Sequence, residues 1–424
     1  MVIPKSSSPQ AESRGGHSRG RSRRQNAIIL LILGVGGLTA WVWVGGLTKC
    51  FNALAARALT ARDTATAAQW LNWSKRSSRS DGQSAFLEAR LARHRQDYEA
   101  VRVHLQRAFR LDYPRDLLER EQWLTLAQAG QLRDAEPHLA ALLSDPRDDG
   151  PEICEAYVNG YLLTYQPAKA QLLLGGWQRD FLEDPLPHVI QGGMNAAGQQ
   201  WNAAEVSFRK ALDLAPAHAE AAVGLADVLV AKNQFEEALR WYRKGETGAP
   251  QNRQARLGAA RCLEALGKRD EARQVLTALA EEFPASSPVL FARARIELEE
   301  RNDSRARELL EGALAGDPHN AGIQTALAAA LRRGGEIEAA EAYSREAQKS
   351  AAAKVRAERL QHKINAQPDD VALRYELGAL QLERGSEREG VMWLKSVLEL
   401  QPDHKLAREA LDRYERQHAR RAAD

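Results

Sequence analysis

Small, apolar and helix-breaking residues recur along the middle of this chain at a period of 34 positions. Counted from units that begin at Pro185, Ala219, Arg253, Ser287 and Ala321, place 8 holds glycine or alanine and place 20 holds alanine. In the first four of these units, place 24 holds an aromatic residue or leucine and place 32 holds proline. A fixed period of this length predicts a stack of similar supersecondary units rather than independent domains.

Each recurring place has a structural cause within a pair of antiparallel helices. The small residues at places 8 and 20 let the two helices approach closely, and the larger residue at place 24 fills the space between them. Proline at place 32 ends the second helix, because it lacks an N–H donor and cannot continue a helix. The turn between the helices carries Asn, Gly or Asp, as at Asn233 and at Gly334-Gly335.

This pattern resembles the tetratricopeptide repeat (TPR). The resemblance implies an all-α, right-handed superhelical solenoid of about nine helix-turn-helix repeats with a concave inner groove. We expect the array to occupy residues 50–354, with less regular units before Pro185 and a degenerate first unit at about 50–81. Residues 371–424 are expected to form a last, regular unit followed by a capping helix.

Sixteen additional residues, 355–370, interrupt the period before the last unit. No helix-breaking residue occurs there until Pro368, so the pattern predicts one long second helix from about Glu336 to Ala366. Tyr343, Ala347, Ala351 and Val355 are expected to share one apolar face of this helix, and Leu360 and Ile364 to continue the apolar stripe. A spacer helix is the simplest interpretation; a separate carboxy-terminal module, or self-association through residues 336–366, is the alternative.

The amino-terminal segment differs from the rest in charge and in hydropathy. Residues 1–26 are rich in Ser, Gly and Arg and carry a net charge of +5, so we expect a disordered, basic cytoplasmic tail. Residues 27–47 follow without a single charge over 21 positions. A helix of that length spans a hydrocarbon core of roughly 30 Å, and the sequence therefore predicts a transmembrane helix that acts as a signal anchor.

The arginines also predict the orientation of this anchor. Five arginines lie in the 13 residues before the uncharged segment, and three basic residues lie in the 15 after it. The positive-inside rule then places the amino terminus in the cytoplasm and the repeats outside it, on a bacterial inner membrane. A cleaved signal peptide and a buried core helix are the alternatives; the first normally has a shorter apolar region, and the second seldom lacks charge over this length.

Composition argues against catalysis, metal binding and nucleic-acid binding. Outside the tail the net charge is −2, which does not favour a phosphate backbone. The three cysteines lie outside any Cys/His cluster, and no nucleophile, zinc-protease or P-loop motif occurs. We therefore expect no cofactor, no metal and no enzymatic activity. Cys154 and Cys262 occupy apolar positions of first helices, so they are interpreted as packed small hydrophobes.

Candidate partner-binding residues follow from the TPR resemblance, which implies that places 2, 5, 9, 12 and 13 of the first helices line the groove. Arginine at place 9 of two successive units suits a carboxylate or an acidic peptide, because a guanidinium group binds a carboxylate bidentately. The alternative is an internal charge ladder, in which Asp227, Glu264 and Glu299 neutralise these arginines. The candidate groove residues are Asp227, Arg261, Arg295, Phe291, Leu257, Arg332 and Tyr375.

The sequence thus predicts a membrane-anchored scaffold that binds proteins or peptides at the bacterial cell envelope. A narrower hypothesis makes it an accessory factor of one envelope pathway, such as secretion, pilus assembly, polysaccharide export or cytochrome maturation. An enzyme with an unrecognised site is the third hypothesis, and the absence of clustered catalytic residue types argues against it.

Overall fold

The structure, a computed structural model, describes residues 46–77, 81–248 and 252–421. The predicted tail (1–26) and all but the last two residues of the predicted span (27–47) lie outside these residues, as does Pro250. The described residues form 21 helices and no strands, which confirms the predicted all-α class. None of those helices combines the length and the apolar character needed to cross a membrane.

The helices follow one another at short intervals. The first eleven are α1 (Gly46–Thr60), α2 (Thr64–Ser77), α3 (Gly82–His94), α4 (Tyr98–Arg110), α5 (Arg115–Gln128), α6 (Leu132–Ser144), α7 (Gly150–Leu163), α8 (Pro167–Asp180), α9 (Leu186–Ala197), α10 (Trp201–Leu214) and α11 (Ala219–Ala231). The remaining ten are α12 (Phe235–Gly248), α13 (Arg253–Ala265), α14 (Arg269–Glu282), α15 (Ser287–Glu299), α16 (Asp303–Gly316), α17 (Ala321–Arg333), α18 (Ile337–Ala366), α19 (Val371–Arg384), α20 (Glu387–Leu400) and α21 (Lys405–Arg421).

The helices belong to two compact units that divide within α5, between Thr125 and Leu126. In the first unit α1 packs against α2, and α3 packs against α4. In the second unit each odd-numbered helix from α7 to α19 packs against the even-numbered helix that follows it, and α21 covers the last pair. Two helices per 34 residues is the arrangement that the sequence period predicts.

The turn between paired helices is built around one left-handed residue. In eight successive units, from Gln96 to Gly335, the residue at place 15 has φ between 57° and 86°. The next residue donates its backbone N–H to the carbonyl at place 11, over 2.7–3.0 Å, which is the hydrogen bond of a Schellman motif. Only Gly130, Gly267 and Gly335 are glycines at this place, so glycine alone would not have located these turns.

Side-chain size at place 24 matches side-chain size at place 6 of the following unit. Phe208 lies so close to Gly224 that an added Cβ atom there would be 2.5 Å from its ring, and Tyr242 crowds Gly258 in the same way. In the next unit Leu276 is smaller, and Ala292 replaces glycine at the matching place within the same buried cluster. The helices are therefore spaced by complementary pairs, in which an aromatic residue requires a glycine.

We expect Gly224→Ala to destabilise the folded chain by about 1–3 kcal/mol, because the new methyl group overpacks the Phe208 ring. Phe208→Leu should recover part of this loss when combined with it, since the smaller side chain leaves room. Urea denaturation followed by circular dichroism measures both effects.

Gly175→Ala is the matched control, because a Cβ atom at Gly175 of α8 meets nothing within 4 Å. It should stabilise the helix by roughly 0.5–1 kcal/mol. If both alanine substitutions shift the midpoint in the same direction, the size match is not what spaces these helices.

The extra residues before the last unit extend α18 to 30 residues, over the range for which one long helix is predicted. Its buried face agrees with the expected one at Ala347, Leu360 and Ile364, which are buried. It differs between them, because Ala351 and Val355 are exposed and Ser350 is buried in their place. The apolar stripe therefore shifts around the helix, because beyond Ala347 the helix packs against α19 rather than against α17.

This extension brings the last repeat against the turn between α7 and α8, about 200 positions earlier in the chain. Arg374 of α19 is 1% exposed. Its guanidinium group donates hydrogen bonds to the carbonyl oxygens of Thr164 (2.8 Å), Tyr165 (3.1 Å) and Pro368 (2.6 Å). Tyr165 packs against the buried Trp393 indole of α20. We call this contact the closure.

The closure buries a guanidinium charge against neutral carbonyl groups. Burial lowers the pKa of Arg374, and the charge of Asp369 and the Tyr165 phenol oppose that shift. Burial also disfavours the charged form of Tyr165 and raises its pKa to about 12. The Tyr165 hydroxyl group donates a hydrogen bond to Gln361 Oε1 over 3.0 Å. Hydrogen bonds from one side chain to two successive carbonyls fix the position of the last repeat on this turn.

Arg374→Met should therefore destabilise the second unit by about 1–3 kcal/mol, because buried carbonyl groups lose their donor. Hydrogen exchange should show faster opening at residues 164–168 in this variant. Arg356→Met is the control. Arg356 on α18 is exposed and forms a surface ion pair (2.6 Å) with Glu376 on α19, the helix that also carries Arg374. Such a surface pair is worth roughly 0–1 kcal/mol. Equal exchange rates in the two variants would show that the closure does not form in solution.

Candidate partner-binding groove

The first helices of successive units place one residue each along the candidate groove. Asp227 lies on α11, Arg261 on α13 and Arg295 on α15, each at place 9 and each exposed to solvent. Glu264 lies one helical turn beyond Arg261 and is only 15% exposed. Acidic and basic groups therefore alternate along this face of the second unit.

Asp227 is held by its neighbours although it reaches solvent. Its carboxylate accepts hydrogen bonds from the Tyr242 hydroxyl group and from Gln254 Nε2, the latter over 3.0 Å. Partial desolvation raises the pKa of Asp227, whereas these hydrogen bonds and the charge of Arg261 lower it, and the net shift is upward. Asp227 therefore contributes an acceptor site that is already occupied by the protein.

The acids near the two arginines neutralise their charges only in part. Arg295 lies 3.7 Å from Glu264, which is longer than a hydrogen bond, and half of its side chain is exposed. Burial raises the pKa of Glu264, and the charges of Arg295 and Arg261 oppose the rise. Glu299, the third acid considered for the internal ladder, instead forms an ion pair with Arg269 at 3.1 Å. The described contacts thus leave both guanidinium groups accessible.

The remaining candidates do not all share this surface. Phe291 is half-buried against the adjacent core, and Arg332 is exposed and lies 3.5 Å from the Ser344 hydroxyl. Leu257 is 7% exposed and belongs to the core, so it supports the wall and offers little surface to a ligand. Tyr375 lies in a different cluster, where its ring packs against His404 at 5.1 Å beside α21.

Gln254 lies beside Asp227 and is a further residue of the candidate groove. It occupies place 2 of its unit, one of the places that the TPR resemblance assigns to the groove, so its position could have been read from the period. Tyr242 was expected only as a core residue at place 24, and its ring is indeed buried. Its hydroxyl group nevertheless reaches the groove, which a repeat count cannot show.

A second concavity lies beside the long helix, with a volume of about 1540 Å³. The α9–α10 turn, the α16–α17 loop, α18 and the α19–α20 loop surround it. Ser350 on its wall is 4% exposed, and its hydroxyl oxygen has no hydrogen-bond partner among the described residues. This cleft exceeds the usual size of small-molecule sites, and the extended part of α18 lines one side of it. The long helix is predicted from the sequence, but the cleft beside it is not.

The buried cysteines and the residue types that ligate metals form no candidate site among the described residues. Cys154 and Cys262 are buried, and burial raises their pKa to about 12 and about 11, respectively, which agrees with their interpretation as packed small hydrophobes. Within the ranges that the structure describes, no three His, Cys, Asp or Glu side chains are grouped as metal ligands would be.

Comparison with known proteins identifies repeat proteins. Residues 197–279 match the family model described as anaphase-promoting complex, cyclosome, subunit 3. No curated protein matches. Among solved structures, YrrB, described as a TPR protein with an unusual peptide-binding site, is 16% identical over 56% of this chain and 97% of its own, with a TM-score of 0.33.

Two further solved structures are those of PilW and pilF. PilW, described as a widely conserved type IV pilus biogenesis factor, is 17% identical over 47% of this chain and 93% of its own, with a TM-score of 0.43. Pseudomonas aeruginosa pilF is 18% identical over 55% of this chain and 98% of its own, with a TM-score of 0.37. These similarities concern the helical repeat fold.

The raised pKa of Asp227 predicts a pH-dependent effect of Asp227→Asn. The folded chain holds this proton more tightly than the unfolded chain, so its stability falls as pH rises from the ordinary value of 3.8 through the raised one. The asparagine variant lacks this loss. We expect it to be more stable than the parent chain at neutral pH, with an advantage that disappears in acid.

Urea midpoints measured between neutral and acidic pH test this prediction. Asp270→Asn is the control, because the Asp270 side chain is 93% exposed and its carboxylate comes no closer than 3.9 Å to the Arg273 guanidinium. An advantage for Asp227→Asn that does not change with pH would contradict the assignment.

Proposed function

We propose that this TPR-type repeat protein is a scaffold that recruits other proteins at the bacterial cell envelope, where residues 27–47 anchor it in the inner membrane. Its amino terminus lies in the cytoplasm and its repeats lie on the opposite side. The protein has no catalytic role in this proposal. The uncharged segment after an arginine-rich tail supports the anchor, and the TPR-type repeats support the scaffold.

The observation that carries the partner-binding role is the accessible arginine pair of the groove. Arg261 and Arg295 are exposed on successive first helices, and Glu264 approaches Arg295 only to 3.7 Å. A carboxylate of a partner could accept bidentate hydrogen bonds that Glu264 does not provide. The preferred partner is therefore a polypeptide segment that carries acidic side chains or a free carboxyl terminus.

A narrower form of the proposal assigns the scaffold to a single envelope pathway. Secretion, pilus assembly, polysaccharide export and cytochrome maturation all require proteins to be held together at the inner membrane. The captured partner would decide among them, so one experiment addresses both forms.

Site-specific photo-crosslinking tests the groove. A photoreactive residue at Ala329, the place-9 residue of α17, should capture partner proteins in cells, and Arg261→Glu or Arg295→Glu should abolish that capture by repelling acidic groups. Arg240→Glu on α12 is the control, since Arg240 is exposed but lies outside the groove places. If all three variants capture the same proteins equally well, the arginine pair is not the binding site.

Protease treatment of spheroplasts tests the orientation separately. Protease added outside should digest the repeats while a tag on the amino terminus survives. Protection of the repeats until the membrane is opened would refute the proposed topology, and release of the chain from the membrane by high salt would refute the anchor.

A further inference from the structure

Three of the four exposed large hydrophobic side chains described in the first unit lie along one edge, and the fourth, Val103, lies in the middle of α4. Trp73 near the end of α2 is 53% exposed, Phe109 in the last turn of α4 is 50% exposed, and Leu111 directly after α4 is 40% exposed. Helix starts and helix ends meet along this edge: the hydroxyl groups of Thr48 (α1) and Ser77 (α2) are hydrogen-bonded at 3.0 Å. We call it the proximal edge.

Further contacts place the start of α3 and the end of α4 on the same edge. The hydroxyl groups of Ser74 and Ser84 lie 3.1 Å apart, which joins the end of α2 to the start of α3. A Cβ atom at Gly82 would lie 2.9 Å from Tyr113 Cβ, which joins the start of α3 to the residues after α4. The opposite edge, formed by the turns at 61–63 and 95–97, carries none of the exposed large hydrophobic residues of this unit.

The chain reaches the first unit at the proximal edge. Gly46 and Leu47, the last two residues of the uncharged segment, are also the first two residues of α1. If that segment spans a bilayer, the headgroup layer begins within a few residues of Thr48 and Phe51. Phe51 stacks on Trp70 with ring centroids 5.9 Å apart and also contacts Trp73, so a group of aromatic side chains lies beside this position.

Arginine accompanies each exposed aromatic ring of the proximal edge. The Arg76 guanidinium lies 5.6 Å from the centroid of Trp73, and the Arg115 guanidinium lies 5.1 Å from that of Phe109. Aromatic rings paired with cations suit the boundary between hydrocarbon and phosphate groups, because the ring enters the apolar layer while the cation meets phosphate. The two pairs are built differently, since Arg76 lies on the same helix as Trp73 whereas Arg115 begins the helix that follows Phe109, but both place a cation beside an exposed ring.

Exposed charge along the edge has the sign that anionic lipid requires. The exposed residues in its helix ends and connecting loop that carry charge are five basic residues and two acids: Lys49, Lys75, Arg76, Arg110, Arg115, Asp112 and Asp116. One of the five, Lys75, is paired with the buried Glu88 at 2.5 Å, so four remain for a ligand against two acids.

We propose that the proximal edge is a lipid-binding surface, which lies on the headgroup layer of an anionic phospholipid bilayer with Trp73 and Phe109 at the interface. This inference rests on the membrane anchor of the proposed function. It adds that the first unit lies against the membrane surface instead of being attached to it only through a flexible linker. A second copy of the chain and a partner protein are the other candidates for this surface, and both are outcomes of the test.

The test uses the full chain reconstituted into vesicles. In a Cys50→Ser background, a cysteine at Asn72 carries an environment-sensitive dye; Asn72 is exposed, lies next to Trp73 in the chain and shares a helix face with Arg76. A second sample carries the dye at Ala65, in the first turn of α2 on the opposite edge. Cys154 and Cys262 are buried and should remain unlabelled.

In vesicles that contain phosphatidylglycerol, we expect the dye at position 72 to shift to the blue and its quenching by aqueous iodide to fall several-fold. The dye at position 65 should remain fully quenched. Trp73→Ser combined with Phe109→Ser should restore quenching at position 72, and Arg76→Gln combined with Arg115→Gln should do so in part. Val103→Ser is the matched control, because Val103 is 51% exposed on α4 but lies away from the helix end.

Three results would overturn the proposal. Equal quenching at positions 72 and 65 in chains that float with the vesicles would show that the edge does not touch lipid. Shielding that persists in detergent and grows with protein concentration would indicate a second copy instead. Shielding in phosphatidylcholine vesicles equal to that with phosphatidylglycerol would refute the anionic preference. Failure of the chain to float with vesicles at all would instead refute the anchor, so the two proposals fail separately.

Discussion

The close approach of paired helices is the constraint on which this architecture depends. Ala226 and Ala238, at places 8 and 20 of one unit, are completely buried, as are Ala260 and Ala272 in the next. Because no larger side chain separates the helices there, the residue at place 24 projects toward the following unit and must fit its place 6. The size match between place 24 and place 6 thus sets the distance between successive first helices. That distance in turn sets the spacing of the groove charges, so the packing of the core decides which ligand carboxylates the two arginines can reach together.

Much of the fold could be predicted from the sequence because a repeated pattern averages out local ambiguity. The helix pairs, the buried alanines and the length of the helix that ends at Ala366 follow from period, breakers and apolar places. The left-handed turn residue was harder to predict, since Gln96 or Tyr165 adopts the conformation that glycine favours, and only the hydrogen bonds reveal it. In the groove, the row of charges followed from the period. Its internal bonds did not, because Tyr242 reaches Asp227 from a core position and Glu299 turns toward Arg269.

The closure could not be predicted, because it joins residues about 200 positions apart that share no repeat place. Arg374 is a buried cation whose partners are backbone carbonyls, which no sequence motif marks. Its effect on the second unit is nonetheless large. An open array can change its curvature when each interface shifts slightly. The contact between the last repeat and the α7–α8 turn opposes such changes within the second unit, and we expect it to hold the cleft beside α18 in shape.

The extension of α18 also bears on partner binding, because the contact that it allows preorganises the second unit. A scaffold that becomes ordered only when a partner binds spends part of its binding free energy on that ordering. A scaffold that is held in shape by its own contacts does not. The closure supplies this within the second unit, through a contact that the helical extension alone makes geometrically available. A spacer that merely separated two modules would require neither the buried Arg374 nor the Trp393 that packs on Tyr165. The inserted residues are therefore better understood as the arm that closes the second unit than as a linker between two parts of it.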